Sequence, residues 1–235
     1  MVPCRRLALP SLLLGLGLAA CGGGDAPPSD QEAPVDAVEA APELPDARLP
    51  ALLASGEAVF GIFSGEHTAE GGAAMAQLRE TDFVFYSLES GPFDMPAMEA
   101  YIRGMGTASM EMGVEPHPLI LRIPPIHLDT AAARDHVTRG LASGADGIVY
   151  PHVVTPDEAA LSSELMGPGL YPADPMGERV NVVLIEDQEG ISNARGIVGT
   201  PGVSVAIPGP GDLRRAYEGD MEAVEEAIRT VLAAC

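Results

Sequence analysis

Two adjacent carboxylates, Glu186 and Asp187, follow directly after an apolar run at Val180–Ile185. A near-continuous apolar run of this kind, rich in valine, is typical of a β-strand that is buried on both faces. Taken alone, Glu186 is best interpreted as a solvated loop acid, and Asp187 and Glu189 as solvated or helix-capping acids. The position at the end of a buried strand nevertheless raises the question of what these acids do there.

The composition limits the chemistry that such acids can support. All 13 basic residues are arginines, and the chain has no lysine. This excludes Schiff-base aldolases, pyridoxal-phosphate enzymes and lysine-dependent phosphate loops. Carbonyl chemistry in this chain must therefore use a metal ion or a hydrogen-bonding electrophile. The formal net charge of −21 argues against a nucleic-acid partner.

Strand and helix patterns alternate along most of the chain and predict an α/β fold with a parallel sheet or a (β/α) TIM-type barrel. Helix starts are marked by Asp129 and by a capping box that begins at Thr155. A complete barrel has eight strand–helix units, so six units predict an incomplete barrel. The six apolar runs fall at Ala58–Phe63, Phe83–Tyr86, Leu119–Ile123, Gly147–Tyr150, Val180–Ile185 and Val203–Ile207.

The amino terminus is similar to a bacterial lipoprotein signal. Arg5 and Arg6 precede a short apolar stretch at Leu7–Leu18, which is too short to span a bilayer, and small residues then lead to Cys21. We expect cleavage before Cys21 and a lipid on that cysteine, and the alternative is an ordinary secretory signal. Since residue 22 is glycine and not aspartate, we expect a periplasm-facing anchor in the outer membrane of the bacterial envelope more than in the inner one.

These features divide the chain into three parts. Residues 1–20 form the predicted signal peptide, residues 21–45 a disordered tether rich in Gly, Pro, Ala and acids, and residues 46–235 the (β/α) domain. After processing, Cys235 would be the one free thiol, so no internal disulfide is expected.

Four stretches of the domain, in order and at about the right spacing, resemble the class II pyruvate-dependent aldolases. The resemblance is to the 2-keto-3-deoxyglucarate and 4-hydroxy-2-oxoheptanedioate type, within the phosphoenolpyruvate/pyruvate barrel superfamily, and covers roughly residues 50–235. The stretches are "FGIFSGEHTAEGGAAMAQLRETDFVFYSLESGPFD", "PLILRIPPIHLDTAAARDHVTRGLASGADGIVYPHVVTPDEA", "LIEDQEGISNARGIVGTPGVSVAIPGPGDL" and the last helix.

The resemblance implies a role for each strand-end residue. Glu186 and Asp212 would hold one divalent metal ion, Mg²⁺ or Mn²⁺ with Co²⁺ as a further alternative, and a 2-keto acid would complete its coordination. Arg122, in "LRIP", would face the keto oxygen and the enolate. Gly211 and its neighbours in "GPGDL" would let backbone N–H groups approach the substrate carboxylate. The implied activity is cleavage or decarboxylation of a 2-keto acid through a pyruvate enolate.

The chain departs from the family at the end of the second strand. The family pattern there resembles Asp-Leu-Glu-His-Gly-Pro, in which the aspartate orients a histidine that transfers the proton. This chain reads "SLESGP", so Ser87 and Ser90 replace both members of that pair, and only Glu89 remains as a supporting acid. Serine is not a base near neutral pH without an activating partner.

Two other histidines, His67 and His152, follow strands at the same predicted end of the barrel. We place His67 first as a replacement base, followed by His152, and a metal-bound hydroxide is a further candidate. The remaining histidines are interpreted as structural or loop residues.

Three hypotheses follow from these observations. The first is a lipid-anchored, metal-dependent lyase that acts on a 2-keto acid. The second is a catalytically impaired relative that binds a ligand without turnover, which the serine pair favours. The third is a non-functional fragment without a cooperative unfolding transition. Since an open barrel leaves exposed strand edges, a homo-oligomer that closes the barrel is also expected.

Overall fold

A computed structural model describes residues 48–235, and these residues form a sheet of parallel strands covered by helices. All six predicted strands are confirmed. The strands are β1 (Gly61–Phe63), β2 (Phe83–Ser87), β3 (Leu119–Arg122), β4 (Gly147–Tyr150), β5 (Leu170–Tyr171), β6 (Arg179–Ile185) and β7 (Val205–Pro208). The helices are α1 (Leu49–Ser55), α2 (Ala69–Ala76), α3 (Met95–Met112), α4 (Thr130–Ala142), α5 (Pro156–Met166), α6 (Gln188–Ser192), α7 (Ala194–Val198), α8 (Pro210–Ala216) and α9 (Met221–Ala234).

The sheet runs in the order β1-β2-β3-β4-β6, and the far edge of β6 pairs with β5 at its start and with β7 further along. Every pairing is parallel. The fold is therefore an α/β barrel of the TIM type that stays open within the described residues, with β1 and β7 on its two edges. The two-residue strand β5 was not predicted, because so short a segment carries no hydrophobic period.

Side chains alternate between two apolar layers across the sheet. Outward residues such as Tyr86, Leu121 and Tyr150 pack under the helices. Inward residues form a second buried cluster of Leu49, Phe85, Ile120, Val149, Val180, Val182 and Leu184.

Helix α1 closes the amino-terminal end of the inner cluster. Its first residue, Leu49, is buried there, and the preceding Arg48 pairs with Glu178, which comes directly before β6. The inner cluster is apolar at this end. At the opposite end, where the strands reach their carboxyl termini, the inward-facing side chains are polar.

Capping side chains set the helix starts as predicted. Asp129 Oδ1 accepts a hydrogen bond from the Ala132 N–H at 2.9 Å, and Thr155 and Glu158 form the full capping box of α5. Among residues 48–235, no helix is long and apolar enough to cross a membrane. The predicted signal peptide, the tether and the lipidation residue Cys21 lie outside the described part of the chain.

Candidate active site

The inner face of the barrel changes from apolar to polar at the carboxyl ends of the strands. Two positions beyond Phe85, Ile120 and Leu184, the alternation places Ser87, Arg122 and Glu186 on the same inward side. Ser87 and Arg122 are direct register partners on β2 and β3. Strand alternation alone therefore brings these residues to one end of the barrel.

Arg122 is held in position by three neighbours on β2 and the residues after it. Its Nε donates to Ser87 Oγ at 2.9 Å, and its Nη2 lies 3.0 Å from Glu89 Oε2. The guanidinium carbon lies 5.3 Å from the centre of the Phe85 ring. The pair with Glu89 is largely buried, so solvent screens it less than a surface ion pair. The planar fork is thus fixed before any ligand binds.

Glu186 is the most buried acid of the site, with 2% of its surface exposed. Its Oε1 accepts a hydrogen bond from the His152 N–H at 3.1 Å. Burial raises the pKa of Glu186, and the charges of nearby acids raise it further, against a lowering effect from His152. Gly209 leaves the room that this carboxylate occupies, since a Cβ on Gly209 would lie 2.0 Å from Glu186 Oε2.

His152, directly after β4, contacts acids on three sides. Its Nδ1 lies 2.9 Å from Asp187 Oδ2 and its Nε2 lies 3.8 Å from Glu89 Oε1. Burial lowers the pKa of His152, but the hydrogen bond to Asp187 and the surrounding carboxylates outweigh this, and the pKa lies above its ordinary value. Its φ of 54° is in the left-handed region, which non-glycine residues seldom adopt.

Asp212 lies in the first turn of α8, next to the exposed Gly211, and pairs with Arg215. Its charge raises the pKa of both Glu186 and His152, so Asp212 faces the same group of residues. A Cβ on Gly211 would meet nothing within 4 Å, so the backbone beside Asp212 is open to a ligand.

His67 makes its contacts elsewhere. Its Nε2 lies 3.0 Å from Ser64 Oγ, and its ring stacks on Tyr86 with 4.0 Å between ring centres. Tyr86 belongs to the outward layer under the helices. Burial lowers the pKa of His67. The structure therefore brings His152, and not His67, into contact with the acids around Arg122.

Sequence reasoning missed the contact between His152 and Asp187. Asp187 precedes α6, where it was expected to be solvated or to cap the helix, but its side chain makes no capping hydrogen bond and bonds to His152 instead. The available signal is that each residue lies two positions after the end of a strand, and that these two strands, β4 and β6, are neighbours in the sheet.

The donor set at this end of the barrel fits a hard divalent cation. Glu186 and Asp212 supply carboxylate oxygens. Burial is the main reason that the pKa of Glu186 is raised, the charge of Asp212 adds to it, and a positive ion would offset both effects. Within residues 48–235, no three His, Cys, Asp or Glu side chains are arranged as a metal site. Two carboxylates, with water and substrate completing the shell, are the pattern that Mg²⁺ accepts.

Glu186→Gln tests the cost of burying this acid. Because folding raises the pKa of Glu186 above its ordinary 4.5, the folded chain holds the proton more tightly, and stability falls as the pH rises from that value through the raised one. We expect Glu186→Gln to raise Tm at pH 7 without divalent cations, by about 2–4 °C for each kcal/mol gained.

Thermal unfolding by circular dichroism at pH 7 and pH 4 measures this effect. At pH 4 the wild-type carboxyl is protonated and the two proteins should unfold at nearly the same temperature. A Tm at pH 7 that is lower in Glu186→Gln than in the wild type would contradict the expectation.

Comparison with solved structures identifies the fold. A HpcH/HpaI aldolase/citrate lyase family protein from Burkholderia cenocepacia J2315 is 24% identical, with a TM-score of 0.65 and 79% of each chain covered. A HpcH/HpaI aldolase from Desulfitobacterium hafniense DCB-2 is 20% identical, with a TM-score of 0.62 and coverage of 79% of this chain and 76% of that one. Macrophomate synthase is 21% identical, with a TM-score of 0.61 and coverage of 81% and 72%.

No protein-family model matches the chain, and no curated protein matches it. The similarity to these three solved structures, each less than 25% identical, therefore concerns the fold. The chain has the barrel fold of the HpcH/HpaI aldolase/citrate lyase proteins, open after six of the eight strand–helix units.

Proposed function

We propose that the chain is a metal-dependent carbon–carbon lyase of the HpcH/HpaI type that acts on a 2-keto acid through a pyruvate enolate. One observation carries the proposal: a fixed guanidinium at Arg122 and a buried carboxylate at Glu186 share the carboxyl end of a barrel. This end is where barrel enzymes place their sites. The names of the structural neighbours, which include aldolases, agree with this class of chemistry.

Arg122 would stabilise the negative charge that develops on the keto oxygen. Because Ser87 and Glu89 already fix its fork, little reorganisation is needed when that charge appears. Guanidinium stays protonated throughout, so it acts as a hydrogen-bonding electrophile and not as a proton source.

Glu186 and Asp212 would hold the divalent cation, Mg²⁺ or Mn²⁺, with Co²⁺ as an alternative. When bound, such an ion polarises the ketone as a Lewis acid. The His152 N–H and the space left by Gly209 fix the Glu186 carboxylate, and Asp212 exchanges its partner Arg215 for this role. The open backbone at Gly211 would admit the substrate carboxylate.

Cleavage of a 4-hydroxy-2-keto acid tests the proposal. We expect the full-length chain with Mg²⁺ to release pyruvate and an aldehyde, and a chelator or Glu186→Gln to abolish the release. Pyruvate is followed by reduction with a coupled lactate dehydrogenase. Release that is unaffected by both the chelator and the substitution would contradict a metal-dependent lyase at this site.

A ligand-binding protein without turnover is the second candidate. The observation that favours it lies at the end of β2, where Ser87 is used to hold Arg122 and Ser90 is exposed, so neither supplies a base. This candidate predicts that pyruvate binds in a metal-dependent way, seen by saturation-transfer NMR, while no 2-keto acid is consumed.

Two further proposals concern partners and place. The open edge at β1, where Phe60 and Phe63 are 55% and 64% exposed, supports a homo-oligomer that covers this edge, which light scattering after gel filtration would test.

The sequence around Cys21 supports a lipid anchor in the bacterial envelope. Mass spectrometry of the membrane fraction should find a lipid on Cys21, and an unmodified Cys21 would contradict the anchor.

A further inference from the structure

An enolising site needs a group that takes a proton from carbon, and the end of β2 does not supply one. Ser87 Oγ accepts the Arg122 Nε–H at 2.9 Å, and Ser90 is exposed to solvent. Glu89 is already paired with Arg122. A base supplied by a side chain must therefore come from another strand end, and His152 is the imidazole that contacts this group of residues.

The hydrogen bonds of His152 give its two ring nitrogens different roles. Nδ1 lies 2.9 Å from Asp187 Oδ2, and a carboxylate at this distance accepts a hydrogen bond from an Nδ1–H. Nε2 is then left to face Glu89, 3.8 Å away, whose other oxygen bonds to Arg122. The ring therefore presents Nε2 toward the same carboxylate that holds the Arg122 guanidinium.

The backbone holds this ring orientation at a cost. His152 has a φ of 54°, a left-handed conformation that is strained for a non-glycine residue. In that conformation the His152 N–H donates to Glu186 Oε1 at 3.1 Å. Asp187, at the start of α6, leaves the helix uncapped and bonds to the ring instead. The hydrogen-bonded pair of His152 and Asp187 thus forms although His152 has an unfavourable φ and α6 has no side-chain cap.

We propose that His152, positioned by Asp187, is the acid–base residue of this site, in place of the histidine that Ser90 replaces after β2. The inference rests on the proposed function. His152 Nε2 accepts a proton from C3 of the 2-keto acid, the C–H electron pair forms the C2–C3 double bond of the enolate, and the keto oxygen takes the negative charge beside Arg122. The reverse step returns the proton from Nε2 to C3.

Exchange of the pyruvate methyl protons for deuterium with Mg²⁺, followed by NMR on the full-length chain, tests this role. We expect His152→Asn to slow exchange about 10²–10⁴-fold, while pyruvate binding in saturation-transfer NMR persists. Asparagine tolerates a left-handed φ and keeps the N–H that Glu186 uses. His152→Gly also suits that φ and leaves a cavity, so added imidazole should restore part of the rate.

Asp187→Asn tests the positioning residue. We expect exchange to slow on the order of tenfold or more, and the ¹⁵N NMR signal of the Nδ1–H in His152 to lose the shift caused by the carboxylate. The matched control is His127→Asn, which removes an exposed ring whose Nδ1 lies 3.8 Å from Glu158 Oε1, and it should exchange at the wild-type rate.

The outcomes separate this inference from the proposed function. If the wild type exchanges, Asp212→Ala does not, and His152→Asn keeps the wild-type rate, the proposed function stands and the role of His152 is overturned. If imidazole fails to restore exchange in a folded, pyruvate-binding His152→Gly, the role is likewise overturned. If the wild type does not exchange at all, the proposed function and the role of His152 fall together.

Discussion

Replacing Arg122 by lysine should slow pyruvate methyl exchange about 10²–10³-fold, the loss typical of removing one preorganised donor from a developing oxyanion. Lysine keeps the charge, but its three N–H groups radiate from a single nitrogen. It therefore cannot reproduce the planar fork in which Nε bonds to Ser87, Nη2 pairs with Glu89 and further N–H groups stay available for a ligand. Its ammonium also cannot stack on the Phe85 ring as a plane. The rate should fall with little change in pyruvate binding.

Arg134→Lys is the matched control for this change. Arg134 lies on α4 and pairs with Glu164 across an exposed surface, so lysine should be tolerated there without effect on exchange. The measurement is the NMR exchange rate with Mg²⁺ at saturating pyruvate. Arg122→Lys with more than about a third of the wild-type rate would contradict a role for the fixed fork.

The largest effect on stability is expected from Gly72→Ala at the crossing of α2 and α3. A Cβ on Gly72 would lie 2.1 Å from the Tyr101 carbonyl oxygen and 3.1 Å from the Met105 nitrogen, both backbone atoms. Side chains can turn aside but these atoms cannot, so the helices must separate. We expect a cost of about 3 kcal/mol, at the upper end of the overpacking range, and a Tm lower by roughly 6–12 °C.

Gly106→Ala, on the partner helix α3, controls for the change from glycine to alanine. A Cβ there would meet nothing within 4 Å, so the helix preference of alanine should raise Tm by about 2–4 °C. Calorimetry of both variants checks the pair of expectations. A Gly72→Ala chain that unfolds at or above the wild-type temperature would contradict the close contact between the helices.

The grouping of Arg122 and Glu186 could be predicted from the sequence, because the carboxyl ends of parallel strands lie at the same edge of a sheet. The valine-rich run before Glu186 and the shorter run before Arg122 were sufficient to place both residues there. The same rule placed His67 and His152 at that end, but it could not say which of the two turns inward.

The choice between these histidines depends on tertiary structure. His67 follows β1 and turns back onto Tyr86 in the outward layer, whereas a left-handed φ turns His152 toward Glu186. No sequence period reports such a φ, because the contacts around a turn impose it. The pairing of Asp187 with His152 was hidden for the same reason, as it joins residues from two strands that meet only in the folded sheet.

A single experiment decides whether this end of the barrel is a metal-dependent enolising site: the rate at which pyruvate methyl protons exchange for deuterium on the full-length chain. We expect exchange with Mg²⁺, loss of exchange on adding a chelator, and loss in Asp212→Ala. Asp135→Ala, which alters an exposed acid on α4, should leave the rate unchanged. A folded wild-type chain that binds Mg²⁺ and pyruvate but exchanges no protons would contradict the account and leave a ligand-binding protein with an aldolase fold.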